Sequence, residues 1–491
     1  MSIKLQYTEV GCVKAIRGCI VIVEGFRNCI NGQLIRFGYG TIGTVVGFTE
    51  AEAQILLLKE TEKIRTGQEA HAFIEPLMTP VGKNFVGRII NALAEPLDGL
   101  GPIQADVMAP IFPDSPPILD RHPLNRTLET GIKVLDAMIP IGQGQRELIL
   151  GDKMTGKTTF VTDTIVNQKK TDVICIYCAI GKARSALAKV VQLFKDKACF
   201  DYSLILSASA SSPPGQQYLA PYVACALGEY FMNKGQHVFI GFDDFTKHAW
   251  AYREISLLLG RPPGRDSYPG DIFYLHSKMI ERACFLSPEK GGGSMTFFPI
   301  VEILEGDLTA FVPSNLVSMT DGQIYLSTQL FGEGQKPALD LGLSVSRVGS
   351  KVQWPAIKSL SGPLRLEYLQ YRELLRLSKL KTSGQTDDVK QKLRRGEILT
   401  SILRQDKDMP VCQEMQVLIF YAFNKKHLNE LTIEQVNSFQ EMCYEHTLKN
   451  RPELLTLLRE RKKLDDDIEH MLENTIAEIL AEILKKEKKS G

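Results

Sequence analysis

Residues 147–159 read Glu147-Leu-Ile-Leu-Gly-Asp-Lys-Met-Thr-Gly-Lys-Thr-Thr159, and this stretch decides the central fold. Within it, residues 151–158 match the pattern G-x-x-x-x-G-K-[ST] of a phosphate-binding loop. The apolar run 147–150 predicts a strand that enters the loop, and residues 158–161 predict a helix that leaves it. The alternative is a chance match on an ordinary strand, turn and helix, but both flanking elements that the motif requires are predicted here.

The residue types of the loop suit phosphate chemistry. Gly151 and Gly156 let the backbone wrap closely, so that N–H groups point at phosphate oxygens. Lys157 reaches the outer phosphates, and the Thr158 hydroxyl can ligate Mg²⁺. We therefore predict nucleotide contacts from the whole loop and the residue after it: Gly151, Asp152, Lys153, Met154, Thr155, Gly156, Lys157, Thr158 and Thr159.

A second acidic element is needed for the metal. Residues 237–242 form an apolar run that ends in Asp243 and Asp244. A carboxylate at the end of a strand beside the loop can hold Mg²⁺ through its water shell. We predict Asp243 and Thr158 as the metal ligands. The alternative is that the aspartate only caps a helix.

A catalytic base should lie at the end of a neighbouring strand. The predicted strand 173–180 is followed by Gly-Lys-Ala-Arg-Ser at 181–185, without a carboxylate. Lysine is charged near neutral pH and accepts no hydrogen bond, so Lys182 is a poor base. The sequence therefore supports ATP binding better than ATP hydrolysis at the site of this chain.

Composition sets broad limits. The 491 residues suggest roughly three domains at about 150 residues each. The 44% hydrophobic and 23% charged content is ordinary for a globular chain, and the net charge of +1 gives no bias toward nucleic acid or anionic membrane. Because no apolar run of about 18 residues and no targeting signal are present, we expect no membrane span and a chain that stays where it is made.

Ten cysteines are scattered along the chain without a disulfide framework. Cys175 and Cys178 form a C-x-x-C within a predicted buried strand, where positions i and i+3 face opposite ways. We therefore expect buried thiols in a reducing compartment rather than a metal or redox site.

Three regions follow one another along the chain. Residues 1–70 carry short strand-length runs and predict a small β-barrel. Residues 71–355 include a proline-rich connector at 108–124 and then alternate apolar strands with helices, which predicts a P-loop nucleotide-binding α/β domain with a mainly parallel sheet. Residues 356–491 predict a helical bundle. The predicted barrel strands are 19–24, 32–37, 43–48 and 53–59, and the predicted sheet strands are 147–150, 173–180, 203–206 and 237–242.

The last helix carries an apolar stripe that has two interpretations. A packed bundle helix is favoured over a helix that binds a partner. The stripe consists of Ile468, Met471, Leu472, Ile476, Ile479, Leu480, Ile483 and Leu484.

Over most of its length the chain resembles the alpha subunits of the F-type ATP synthases. Four segments carry the resemblance, and the last of them is the most specific: Pro140-Ile-Gly-Gln-Gly-Gln-Arg-Glu-Leu-Ile-Leu-Gly-Asp152, residues 261–277 (Arg-Pro-Pro-Gly-Arg-Asp-Ser-Tyr-Pro-Gly-Asp-Ile-Phe-Tyr-Leu-His-Ser), residues 320–326 (Thr-Asp-Gly-Gln-Ile-Tyr-Leu) and Gly342-Leu-Ser-Val-Ser-Arg-Val-Gly-Ser350. In the family the last segment presents an arginine to the catalytic site of the neighbouring beta subunit. The resemblance therefore implies that Arg347 acts there in trans.

The resemblance also implies an assembly. Three alpha and three beta subunits alternate around a rotating gamma stalk; the beta sites make ATP, and the alpha sites bind ATP or ADP with Mg²⁺ without turning it over. The complex would be peripheral to the membrane, at the cytoplasmic face of a bacterial inner membrane or an equivalent organelle face. It would meet the membrane only through its ion-translocating sector and bind no nucleic acid. The sequence leaves open H⁺ or Na⁺ coupling and the direction of the reaction.

The adenine pocket of the family maps onto two segments here. The resemblance places Gln405 and Lys407 of the loop 403–410 at pocket-facing positions, and it adds Lys336 and Pro337 from the segment 334–338.

Three departures from the family pattern stand out. Residues 182–184 are Lys-Ala-Arg where the family usually has Gln-Lys-Arg, and Lys407 replaces a glutamine, which leaves the base selectivity open. The chain also starts almost at the barrel. The helical extension that docks on the delta subunit in the family is nearly missing, so we expect an altered contact with the peripheral stalk and a divergent or secondary ATP synthase.

Three other functions compete with this reading. A self-sufficient hexameric ATPase, such as a protein-export ATPase or the catalytic beta subunit, predicts a glutamate near Lys182, and the sequence has none there. A ring-shaped RNA translocase predicts aromatic residues interleaved with basic ones on the N-terminal barrel, which is aliphatic here. A purely structural ring protein has no need of an intact phosphate loop with Thr158 and Asp243.

Overall fold

The computed structural model describes residues 8–59, 63–380 and 387–490. The chain divides into two units, residues 1–123 with 144–153 and 168–320, and residues 124–143 with 154–167 and 321–491. The strands are β1 Thr8–Arg17, β2 Ile20–Glu24, β3 Gln33–Phe37, β4 Ile42–Phe48, β5 Glu52–Lys59, β6 Glu69–Pro76, β7 Met78–Val81, β8 Ile89–Ile90, β9 Val107–Pro110, β10 Glu147–Gly151, β11 Val173–Lys182, β12 Ser203–Ser209, β13 His237–Asp243, β14 Cys284–Phe285, β15 Ser294–Glu302, β16 Gly322–Leu326 and β17 Val345–Ser346. The α-helices are α1 Lys133–Met138, α2 Lys157–Asn167, α3 Arg184–Asp196, α4 Pro214–Met232, α5 Phe245–Leu258, α6 Ile272–Ile280, α7 Phe311–Met319, α8 Thr328–Gly332, α9 Pro355–Ser361, α10 Leu364–Leu380, α11 Asp387–Leu403, α12 Gln413–Asn424, α13 Ile433–Asn450, α14 Pro452–Arg461 and α15 Asp466–Ser490.

The N-terminal strands close into a barrel in the order β1-β2-β5-β4-β3-β6. Successive residues of a strand point to opposite faces, and the inward set here is apolar and mainly aliphatic. The predicted small barrel is therefore confirmed. The closing strand β6 pairs with both β1 and β3 and runs beyond the predicted boundary at residue 70. The prediction about the short N-terminus falls on residues 1–7, which lie outside the described residues. The barrel core includes Val13, Val21, Val23, Ile35, Phe37, Val45, Ile55 and Leu57.

The first unit also holds a sheet with the strand order β10-β15-β13-β11-β12-β8. Each of these neighbouring pairs is parallel, as predicted, and β14 adds to β15 antiparallel. The strands β10 and β13 are completely buried, and α3, α4 and α5 pack against the sheet. Parallel strands need such helices, because each crossover returns the chain to the same end of the sheet. The carboxyl ends of β10, β11, β13 and β15 therefore share one edge.

The second unit is mainly helical, as predicted for the C-terminal region. Its central helix is α12, whose residues 413–423 are all buried. The last helix α15 packs against α12, α13 and α14. The inner residues of its stripe are buried and Leu484 is half exposed, so α15 is a packed bundle helix rather than a free binding surface. The fully buried members of the stripe are Ile468, Leu472, Ile476 and Ile479.

The predicted C-x-x-C has the character of core. Cys175 and Cys178 are both completely buried in β11, and burial raises the pKa of both thiols well above the usual value. Thiols in this state are poor nucleophiles and poor metal ligands. Among the described helices, none is long and apolar enough to cross a membrane.

The packing of α10 on α11 gives a stability prediction. Gly396 lies within α11, and a methyl group added there would come within 2.1 Å of the Tyr371 ring. Alanine is normally the better helix residue by about 1 kcal/mol, but overpacking costs about 1–3 kcal/mol. We expect Gly396→Ala to lower the free energy of unfolding by about 1 kcal/mol or more, measured by urea denaturation with circular dichroism.

A matched control is Gly332→Ala at the end of α8. No atom lies within 4 Å of the methyl group that it would add. Without a clash, this variant should be as stable as the parent or up to about 1 kcal/mol more stable, because alanine is the better helix residue. Equal stability of the parent and both variants would contradict the proposed clash.

Candidate functional site

The loop between β10 and α2 makes a tight turn. Met154 and Gly156 adopt positive φ angles of 66° and 98°, and α2 begins at Lys157. Glycine adopts such an angle without strain, whereas a side chain there would be strained. The first turn of the helix closes with the Phe160 N–H donating to the carbonyl of Gly156 at 3.3 Å. The strand, loop and helix that the motif predicts are therefore all present.

The loop residues divide into a buried set and an exposed rim. Thr155 and Lys157 are buried, whereas Lys153 is exposed and 83% of Met154 is exposed. At the start of the loop the carboxylate of Asp152 accepts the N–H of Gly306 at 3.1 Å, which fixes the backbone after β10. The remaining predicted contacts lie at the end of β10, in the turn and in the first turn of α2: Gly151, Gly156, Thr158 and Thr159.

Asp243 ends β13 at the carboxyl edge of the sheet. Its side chain is 1% exposed, and its Oδ2 accepts the hydroxyl of Tyr177 at 2.8 Å. Parallel pairing aligns Asp243 with Ala179 of β11, so the last residues of β11 lie directly beside it. Burial and the negative charge of Asp243 raise the pKa of the Tyr177 hydroxyl, which keeps this group a donor.

Lys182 supplies the cation of this cluster. Its Nζ lies 2.6 Å from Oδ1 of Asp243 and 3.9 Å from Oδ2 of Asp244. Burial lowers the pKa of Lys182, but the attraction of Asp243 outweighs it and the net pKa is raised. The side chain is therefore an ammonium at neutral pH and has no lone pair to accept a proton.

Asp244 has a structural role. Its carboxylate accepts the N–H of Lys247 at 2.9 Å and caps the start of α5. Burial, with a second contribution from Asp243, raises the pKa of Asp244 to about 6. Helix capping, the alternative role considered for Asp243, is therefore performed by Asp244, and the Asp243 carboxylate lies within the strand-end cluster.

Asp243, Asp244 and Glu302 lie at the carboxyl ends of neighbouring strands and are called the acidic edge below. Their chemistry suits Mg²⁺ that is brought in by a nucleotide. In the described part of the chain, no three His, Cys, Asp or Glu side chains group into a preformed metal cage. Mg²⁺ at phosphate sites does not need one, because it keeps several waters and takes one or two protein oxygens besides those of the phosphates. The Asp243 carboxylate can supply one such oxygen ligand. The second predicted ligand, Thr158, lies in the first turn of α2.

The two segments predicted to face the base meet through their backbones. The N–H of Gln405 donates to the carbonyl of Lys336 at 2.8 Å. The side chain of Lys336 is exposed, with its ammonium 5.5 Å from the centre of the Phe331 ring, and Pro337 is half-buried. The structure thus brings Lys336, Pro337 and Gln405 to one place.

Gln405 uses its amide inside the chain. Its carbonyl accepts the N–H of Lys133 at 3.0 Å, and its NH₂ donates to the carbonyls of Gly131 and Met409 at 2.8 and 2.9 Å. An amide with its carbonyl and both N–H groups engaged holds the loop in position. The prediction that Gln405 also contacts a base stays a prediction.

The same loop is attached to the helix that follows the phosphate loop. The side chain of Lys407 is 79% exposed, and the N–H of Asp408 donates to the carboxylate of Asp163 on α2 at 3.0 Å. The loop 403–410, called the base-side loop below, and α2 are therefore connected directly within the second unit.

Arg347 directly follows the short strand β17. Its N–H donates to the carbonyl of Asp321 at 2.8 Å, and the preceding Ser346 hydroxyl donates to the carbonyl of Pro140 at 3.3 Å. The backbone is therefore fixed while the Arg347 side chain is exposed. Within the described part of the chain, no carboxylate pairs with its guanidinium.

Two residues at the acidic edge were not identified from the sequence. The sequence predicts Tyr177 only as part of a buried strand, yet its hydroxyl donates a hydrogen bond to Asp243. Glu302 ends β15, where its N–H donates to the Thr246 hydroxyl at 2.8 Å and its charge acts on Lys182. The available signal for Glu302 was an acidic residue that directly follows an apolar strand, the same signal that identified Asp243.

Comparison with known proteins gives consistent matches along the chain. The profile of the ATP synthase alpha/beta family, nucleotide-binding domain, matches residues 131–346, and that of the ATP synthase alpha/beta chain, C terminal domain, matches residues 353–479. Two relatives named ATP synthase subunit alpha come from the Clostridium botulinum strains Eklund 17B / Type B and Alaska E43 / Type E3. Each is 44% identical over 475 residues, which cover 97% of this chain and 94% of the relative.

The buried lysine of the phosphate loop gives the first binding prediction. Lys157→Gln keeps a polar side chain of similar length but removes its charge. A charge-assisted hydrogen bond contributes about 1.5–3 kcal/mol, so we expect ATP binding to weaken by roughly 10- to 100-fold. Isothermal titration calorimetry on the purified chain measures this change.

Lys170→Gln is the control for loss of a positive charge, because Lys170 is exposed beyond the end of α2. Its ATP affinity should stay within about twofold of the parent, as for most surface substitutions. If Lys157→Gln bound ATP as tightly as Lys170→Gln, the loop would not be the nucleotide site.

Proposed function

We propose a mechanism from one premise: the chain belongs to the ATP synthase alpha/beta family, among the alpha subunits of the F-type enzymes. It is a nucleotide-binding subunit of an alpha–beta hetero-oligomer. The observation that carries this conclusion is 44% identity to alpha subunits over 97% of the chain. A protein-export ATPase and an RNA translocase are not favoured.

At its own site, we propose that the loop 151–158 and Thr159 bind the phosphates of ATP or ADP. Backbone N–H groups of the loop and the first turn of α2 would donate to phosphate oxygens, and Lys157 would contact the outer phosphates. Thr158 and Asp243 would hold Mg²⁺, which when bound neutralises part of the phosphate charge. Lys336, Pro337, Gln405 and Lys407 are the proposed surroundings of the base.

We propose that this site binds nucleotide without hydrolysing it. Hydrolysis needs an acceptor that positions or deprotonates the attacking water. Lys182 stands at the end of β11 as an ammonium paired with Asp243. If the isolated chain did hydrolyse ATP, Glu302 would be the first candidate for the base, because its carboxylate lies at the same edge of the sheet.

The exposed Arg347 supports a role in a neighbouring subunit. The segment before it is held from inside by Arg365, whose guanidinium donates to the carbonyls of Leu341 and Ser344 at 3.0 and 3.1 Å. A rigid backbone that carries an exposed planar cation suits the stabilisation of charge on a transferring phosphoryl group. We therefore propose that Arg347 completes the catalytic site of a beta subunit.

The finer assembly is proposed from the family. Three such chains would alternate with three beta subunits around a gamma stalk. The complex would lie on the cytoplasmic face of a bacterial inner membrane, or the equivalent face in an organelle, and couple ATP to ion transport. Catalysis would occur at the beta sites.

The next prediction concerns hydrolysis of ATP by the isolated chain. The purified chain without partner subunits should bind ATP in calorimetry, because the phosphate loop is complete. It should release no phosphate beyond a single equivalent in a continuous phosphate assay, because Lys182 accepts no proton. Sustained multiple-turnover hydrolysis that Lys157→Gln abolishes would refute the non-catalytic assignment and direct attention to Glu302.

A further prediction tests the role of Arg347 in catalysis. In a reconstituted alpha–beta–gamma complex, Arg347→Ala should lower steady-state hydrolysis by about 10³–10⁵-fold, the range for such arginines, or roughly 4–7 kcal/mol of transition-state stabilisation. Nucleotide binding by this chain and its assembly with beta should persist, which filtration and calorimetry can check.

Lys351→Ala is the matched control, since it removes an exposed cation four residues further along the same segment. Its hydrolysis rate should stay near that of the parent. A rate for Arg347→Ala above about a tenth of the parent rate, a loss below ~1.4 kcal/mol, would exclude the catalytic role.

A further inference from the structure

Lys182 is placed where it can do more than replace a base. Its ammonium contacts Oδ1 of Asp243 at 2.6 Å, while Oδ2 of the same carboxylate accepts the Tyr177 hydroxyl at 2.8 Å. Oδ2 of the predicted metal ligand therefore accepts a hydrogen bond, and Oδ1 is in ion-pair contact with the ammonium, both within the chain itself. A positive charge already stands at the carboxylate that would hold the metal.

This ion pair is not an ordinary surface contact. The side chains of Asp243 and Asp244 are 1% and 4% exposed, and that of Lys182 is 26% exposed. Charges in such surroundings interact more strongly than in water, because less solvent screens them. The pair therefore persists unless another cation replaces the ammonium.

We propose that Lys182 is a built-in cation of this site, which neutralises Asp243 in place of a divalent metal and lets the chain bind ATP or ADP nearly as well without Mg²⁺ as with it. The proposal rests on the proposed nucleotide site. It goes beyond it by assigning a specific charge-compensating role to a residue at which this chain departs from the pattern of alpha subunits.

A divalent metal at such a site compensates negative charge. A bare carboxylate beside a phosphate loop repels the phosphate groups, and Mg²⁺ removes this repulsion by binding both. Where an ammonium already neutralises the carboxylate, a metal-free nucleotide meets less repulsion. Mg²⁺ also gains less from Asp243, because it must compete with a cation that the chain holds in place.

A purely structural role of the ion pair predicts a different result. It would change the stability of the chain when broken, but it would leave the ratio of ATP affinities with and without Mg²⁺ unchanged. That ratio is therefore the quantity to measure.

The experiment titrates ATP into the full purified chain by calorimetry, once with excess MgCl₂ and once with excess EDTA. For the parent chain we expect the two Kd values to differ by less than about tenfold, or ~1.4 kcal/mol. Lys182→Gln keeps the length and polarity of the side chain but removes its charge. It should raise the ratio of the EDTA to the MgCl₂ value at least tenfold above that of the parent.

Lys189→Gln is the matched control, an equal loss of charge at an exposed position on α3. It should keep the ratio of the parent. Circular dichroism of each variant checks folding, and Lys182→Arg, which keeps the charge, should keep the low ratio.

Two outcomes overturn the inference. One is a parent chain that binds ATP more than about a hundredfold more weakly in EDTA, a result that needs no variant. The other is a folded Lys182→Gln chain with the same ratio as the parent. Absence of ATP binding in both buffers is a different result, since it would also refute the proposed nucleotide site.

Discussion

The parallel register of β10, β15, β13 and β11 is the constraint on which the site depends. It aligns Gly151 with Glu302 and Ala179 with Asp243, so residues up to about 150 positions apart in the chain share one edge of the sheet. The strands can run parallel only because helices such as α4 and α5 return the chain and cover the sheet. The apolar interior of the strands thus stabilises the sheet. The polar residues at the ends of the same strands form the candidate site.

One residue at that edge connects two properties of the chain. Lys182 is charged and therefore a poor base, and its contact with Asp243 is the basis of the charge compensation that we propose. Tyr177 completes the cluster from within the sheet. Removal of one partner from such a buried group leaves the remaining charge without compensation, which is more costly than the loss of an exposed ion pair. Such an arrangement is consistent with the proposed retention of nucleotide without turnover.

The sequence was most informative where the signal is local. The phosphate loop, the apolar strands and Asp243 each lie in a short stretch whose pattern carries its own interpretation, and the barrel and helical bundle followed from strand-length runs and helical periodicity. The contact of Lys182 with Asp243 joins residues on two strands and depends on register, which no local pattern specifies. The amide of Gln405 was out of reach for the same reason, since its partners Gly131 and Lys133 lie about 270 residues earlier. The extent of β6 was also missed. Its residues 69–76 read Glu-Ala-His-Ala-Phe-Ile-Glu-Pro, which contains no strand-length apolar run, and a proline within a strand is unusual.

The second unit shows how the base-side loop and α2 are made mechanically dependent on each other. Asp163 on α2 accepts the N–H of Asp408, and the Gln405 amide ties the loop to Gly131. Gly131 has a φ of 73°, and a side-chain carbon there would come within 2.6 Å of both Asn167 at the end of α2 and Pro410 at the end of the loop. Glycine at this position therefore allows α2 and the loop to approach each other closely, and a larger residue would not fit without a displacement. These hydrogen bonds and this close packing therefore couple the position of the loop that follows α11 to that of α2, the helix that begins at the phosphate loop.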